Sequence, residues 1–154
     1  MIIEFGDEQD EPAPVDALIA LAEIVVQSEG LNDATSVAIS LVDEATIARL
    51  NEIHLGKSGP TDVLSFPIED AKPGKPPLAS PDGPPVQLGD VFIAPSVVLA
   101  NAGRDGVGYE DEMALMVVHG LLHLLGWDHV DDNDAEAMEK REAELLRLAG
   151  RQRQ

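Results

Sequence analysis

The apolar positions change period several times along the chain, and each change marks an element. Ile2, Ile3 and Phe5 open it as a short apolar run that predicts a strand over Ile2–Phe5, and the acidic stretch Gly6–Pro12 ends it as a loop. From Val15 to Glu29, Leu18, Leu21, Ala22 and Val25 recur at i, i+3, i+4 and i+7, which is one face of a helix, with Gly30 as its stop. Ser36–Val42 is β-branched and apolar and predicts a second strand. Asp43 is placed to cap a helix through Ala45, Ile47, Ala48 and Leu50 to about Ile53, and the Gly56–Pro60 segment breaks it. Asp62–Pro67 predicts a third strand, whose proline suits a sheet edge.

Between Glu69 and Gln87, Pro73, Pro76, Pro77, Pro81, Pro84 and Pro85 read as a flexible loop over about 69–87. It is not a linker, because neither flank is large enough to be a separate domain. Leu88–Ala94 resumes as a strand, and Pro95–Ala102 predicts a short helix with proline in its first turn. Tyr109–Leu125 predicts a long helix with Glu110, Asp111 and Glu112 at its positive end. Asn133–Leu148 predicts a last helix, apolar at Ala137, Met138, Leu145 and Leu148, with Glu136, Glu139, Glu142 and Glu144 expected to face solvent. No repeat is visible. Strands and helices without strict alternation predict one α+β domain over 1–154, with about four strands and about five helices.

At 154 residues the chain is long enough to bury a core without staples. It carries 29 Asp+Glu against 10 Lys+Arg, a net charge of −19. That excludes a generic phosphate-coating protein, since non-specific nucleic-acid binding is built from Lys and Arg. It leaves room for one local nucleic-acid site. The absence of cysteine excludes disulfides, thiolate zinc sites, iron–sulfur clusters and cysteine nucleophiles. No apolar run reaches the roughly eighteen residues of a membrane span, and Met1-Ile2-Ile3-Glu4-Phe5 has neither a basic leader nor a small-residue cleavage site. The expected location is cytoplasmic, with no membrane partner.

Candidate chemistry concentrates in His119-Gly-Leu-Leu-His-Leu-Leu-Gly-Trp-Asp-His129. His119 and His123 are at i, i+4 and share one helix face. Gly126 can take the left-handed conformation that ends a helix, which lets His129 turn back toward them. Three imidazoles converging on one point form a three-ligand zinc site with an open fourth position, so His119, His123 and His129 are the expected ligands of one Zn2+ per chain. Gly120 costs the helix about 1 kcal/mol against alanine, which predicts close approach of a neighbouring strand. His54 stands alone at a helix end and reads as a solvated surface histidine. The spacing also matches the metzincin protease pattern, but the general-base glutamate of that pattern falls on Gly120. Peptidase chemistry of that kind has no proton acceptor there.

The histidine element, together with Pro60-Thr-Asp-Val-Leu-Ser-Phe-Pro67, Leu50-Asn51 upstream and Leu88-Gly89-Asp90-Val91 downstream, resembles the YbeY family. These are bacterial ribosomal-RNA maturation factors, also described as zinc-dependent, single-strand-specific endoribonucleases. The resemblance implies a small α+β fold with a mixed sheet and the three zinc ligands already named. It also implies processing of small-subunit ribosomal RNA near its 3′ end and a part in ribosome quality control. The implied partners are ribosomal RNA and the small ribosomal subunit, with a ribosomal protein or assembly GTPase supplying position. Many members carry a phosphate-contacting arginine where this chain has Leu55, and Lys57 is the nearest cation, without an arginine's bidentate grip. Lys57 and Asp128 are the candidate catalytic residues: Lys57 for phosphate, Asp128 to orient a histidine or accept a proton. Against these stand the readings of a solvated loop lysine and a turn aspartate. Either a ribose 2′-hydroxyl or water can serve as nucleophile. With its few aromatics, Phe5, Phe66, Phe92, Tyr109 and Trp127, scattered along the chain, no stacking platform is expected. RNA would bind weakly in a restricted cleft, helped by the metal and by Lys57 or Arg49. Two other functions remain open: a non-catalytic zinc-containing assembly factor, and a zinc hydrolase of another substrate.

Overall fold

The computed structural model describes residues 2–80 and 82–151; Met1, Pro81 of the proline-rich loop and residues 152–154 lie outside the described residues. In chain order the elements are β1 (Ile2–Asp7), α1 (Val15–Ser28), β2 (Thr35–Leu41), α2 (Glu44–Leu55), β3 (Val63–Pro67), β4 (Val86–Ile93), α3 (Pro95–Asp105), α4 (Tyr109–Leu124) and α5 (Asp132–Leu148). They follow the expected order, with differences at their ends. β4 begins at Val86, inside the stretch expected as loop, because the Val86 N–H donates to Ala34 O at 2.8 Å and extends the ladder with β2. Asp43 caps α2 as its sequence predicts, its carboxylate accepting from the Thr46 N–H at 2.8 Å.

The sheet order is β1-β2-β4-β3. β1–β2 and β2–β4 are parallel and β3 runs antiparallel to β4, so the sheet is mixed. β3 lies at an edge, where Pro67 removes no interior hydrogen bond. The two faces are covered unequally. Val37, Ile39 and Leu41 of β2 and Val91 and Ile93 of β4 point into the main core with α1, α4 and α5. On the other face α2 covers a smaller cluster of Val42, Ile47, Leu64 and Ala94, flanked by Phe66 and Phe92.

α4 is the hub, packed against α1, α3, α5, β3 and β4. Met113–Val118, Gly120–Leu122 and Leu124 are buried, so the helix is enclosed nearly all round. Each large apolar side chain so buried contributes roughly 1.5–3 kcal/mol. His119 and His123 interrupt this shell and are half-buried. On α5 the buried residues are Met138, Glu142, Leu145 and Leu146. Two expectations need correction here. Ala137 and Leu148 fall off this stripe and are exposed, and Glu142, expected in solvent, is only 2% exposed because it lies on the stripe, four residues after Met138 and three before Leu145.

Candidate metal centre

α4 sets the first two histidines by its periodicity. The His119 and His123 Nε2 atoms stand 3.0 Å apart. The helix is held against the sheet at the residue between them. A Cβ on Gly120 would lie 2.6 Å from Val91 Cγ1, and the Ser65 hydroxyl donates to Gly120 O at 2.9 Å. β3 and β4 therefore make the close approach that the glycine predicts. They also leave no room for a glutamate at this position.

The third histidine arrives by a turn. Gly126 has φ +92°, and a Cβ on it would fall 2.2 Å from Ala71 O, so only glycine lets the 71–72 segment press on the end of α4. The Trp127 N–H donates to Leu122 O at 3.0 Å and closes the turn. Trp127 packs against the main core, and its Nε1 is buried with no hydrogen-bond partner among the described residues. Asp128 Oδ1 accepts the His129 N–H at 2.7 Å, and Asp131 caps α5 by accepting from the Asp134 N–H at 2.8 Å. His129 is thereby returned over α4, its ring centre 5.7 Å from that of His119 and 5.2 Å from that of His123. One ligand atom from each ring lies within 4.8 Å of the others.

Sequence reasoning missed the residue behind this cluster. Glu142 Oε2 lies 2.7 Å from His119 Nδ1. When Glu142 is ionised its carboxylate accepts from His119 Nδ1–H, which leaves the Nε2 lone pair of His119 facing His123. The available signal was positional: among the α5 glutamates Glu142 falls on the apolar stripe with Met138, Leu145 and Leu146. Burial, and then the neighbouring His119 and His129, hold the His123 pKa below its ordinary 6.5, with Asp128 pulling in the opposite direction. That keeps the His123 ring neutral and able to ligate.

Two clefts meet at the cluster and share Asp62, Val63, His119 and His129. The larger, about 480 Å³, also reaches Leu55, Ser65, Pro67, Trp127 and Asp128. The smaller, about 290 Å³, runs between α4 and α5. Asp128 is thus beside the histidines, with one oxygen spent on the turn. Lys57 is exposed in the loop after α2 and is not among the residues lining the larger cleft, where Leu55 stands instead. Arg49 is exposed on α2 and lines neither cleft. His54 is exposed, edge-on to Phe66 at 5.2 Å, as a surface histidine.

The donor set fits a divalent metal. Tetrahedral metal–nitrogen bonds of about 2.05 Å place ligand nitrogens about 3.3 Å apart, close to the 3.0 Å of the helical pair. The pair's two nitrogens face each other, an arrangement that needs a shared proton or a cation between them. Together the fold and site define a small α+β protein with a three-histidine cluster able to receive one metal ion. The chain belongs to the YbeY family, whose model, described as Endoribonuclease YbeY, matches residues 5–150. Among curated relatives, an Endoribonuclease YbeY of Nocardioides sp. is 39% identical over 95% of this chain and 96% of its own length. Another of that name, from Acidothermus cellulolyticus, is 36% identical over 98% of this chain and 97% of its own length. A solution structure from Thermotoga maritima, 28% identical, superposes with a TM-score of 0.58 over 95% of this chain and 90% of that one. Among the described residues no helix is long and apolar enough to cross a membrane.

Proposed function

We propose that this protein is a metal-dependent endoribonuclease that cuts single-stranded ribosomal RNA, near the 3′ end of the small-subunit RNA, in the cytoplasm. The observation that carries the proposal is the three-histidine cluster itself. It opens onto two clefts, and Gly120 stands where a metzincin peptidase keeps its glutamate. The acting unit is the one domain over 1–154. His119, His123 and His129 hold one Zn2+ through nitrogen alone. The ion supplies Lewis acidity for the charge that develops on a phosphodiester. Glu142 fixes the His119 tautomer and ring angle, and Ser65 pins the helix between the two ligands. Asp128 lines the larger cleft, and in this reading it takes the nucleophile's proton. With −19 overall and Leu55 in place of the family's arginine, intrinsic RNA affinity is weak, and the small subunit with a bound protein supplies position.

Zinc-loaded protein assayed on single-stranded RNA, duplex RNA and a casein-type substrate tests this reading. Cleavage of single strands alone is expected, and none from the triple variant His119→Ala, His123→Ala, His129→Ala. Equal cleavage by the triple variant, or proteolysis by the wild type, would overturn it.

A further inference from the structure

We infer that the smaller cleft is a nucleobase subsite that takes one unpaired, amino-bearing base of the RNA next to the cut. The inference rests on the nuclease reading and adds what it lacks, a reason for single strands and a base preference. The cleft is floored by Leu115, Met116 and Met138 and shares His119 and His129 with the metal cluster, so whatever fills it is continuous with the reacting phosphate. At about 290 Å³ it lies just below the roughly 300–1,000 Å³ of ligand pockets, which suits one base rather than a whole nucleotide. Its polar lining includes the carboxylates of Asp62, Glu139 and Glu142, the last already engaged with His119, and no Lys or Arg. Such a wall repels phosphate and cannot host the backbone. It suits the other half of a nucleotide: a flat apolar ring whose edge donates protons.

Adenine and cytosine present an exocyclic amine that a carboxylate can accept, and uracil presents carbonyl oxygens in its place. Entry also requires the base to leave its stack and its pair, which a duplex resists. The shape of this cleft thus selects single strands without the aromatic platform that the chain lacks.

Binding and cleavage are measured with zinc-loaded protein on unstructured oligonucleotides of A, C and U, alongside hydrolysis of bis(4-nitrophenyl) phosphate, a diester without a base. A and C are expected to bind and be cut at least about tenfold better than U. Ala135→Trp, which fills the cleft from α5, should erase that preference and lower RNA cleavage relative to the small diester by at least about tenfold. Glu139→Gln, an isosteric change at an exposed position, should narrow the preference several-fold. Equal handling of the three oligonucleotides, or a preference unchanged in both variants, overturns the subsite even if RNA is cut. Preferential binding of A and C that Ala135→Trp abolishes, with no cleavage of any substrate, supports the subsite and overturns the nuclease reading instead.

Discussion

The helical pair of histidines and the histidine of the turn are held by different means. His119 and His123 ride on an enclosed helix, pinned at Gly120 by Val91 and Ser65, and His119 is further fixed by a buried glutamate. His129 is exposed, and its N–H donates locally to Asp128. Its position is inherited from the backbone of Gly126 and from the start of α5. Two nitrogens are therefore preset by the core, and the third is delivered by chain geometry. A metal centre built this way has a rigid half bought by folding and a half that the ion itself completes.

The widest test of that contrast is ligand deletion. His123→Ala and His129→Ala should each take bound zinc from near one per chain to background by elemental analysis, because each removes a proposed ligand. The metal-free proteins should then part company. His119→Ala removes the His119–Glu142 contact at a buried carboxylate and should lower unfolding free energy by about 1–3 kcal/mol, whereas His129→Ala should change it by under about 0.5 kcal/mol. Equal losses in denaturant melts would erase the distinction. Next in size, Gly126→Ala attacks the turn alone: a left-handed non-glycine residue overlapping Ala71 O should cost roughly 2–3 kcal/mol and weaken zinc binding while leaving the His119–His123 spacing intact by NMR. Glu142→Gln attacks the rigid half without a hole. It should lower zinc affinity about 10–100-fold and shift the His119 ring nitrogen signals of the metal-free protein; unchanged signals would show that the glutamate does not set the tautomer.

Acid gives the smallest effect. The folded chain resists protonation of His123 below 6.5 while the unfolded chain does not, so the unfolded state binds more protons in that window. The stabilisation from neutral His123 is complete above 6.5 and is lost as pH falls toward the depressed folded value. The melting temperature of metal-free protein should fall on that limb, and less so in His123→Ala. Zinc affinity should fall with it, since protons compete for the same nitrogens.

What could be read from the sequence follows the same division. Elements whose side-chain period agrees with their surroundings were legible: α1 from its i, i+3, i+4 stripe, β3 as an edge from Pro67, the tight packing at Gly120 from its helix cost. The histidine cluster was legible because i, i+4 spacing and a helix-ending glycine are both local rules. Glu142 was not read, because its partner is 23 residues away and a glutamate on an acidic helix looks solvated unless it is compared with the apolar stripe. The early start of β4 at Val86 was missed for a similar reason, since it is recruited by a strand some fifty residues away, at the Ala34 carbonyl.

Trp127 carries one last implication. It is the chain's one tryptophan and stands two residues before His129, in the turn that swings the third imidazole into place. With its Nε1 shut from solvent and the indole edging the larger cleft, its emission is a built-in optical gauge of that turn. Filling the centre with spectroscopically silent zinc, or with a paramagnetic ion that quenches nearby excited states, can be followed in real time with no label attached.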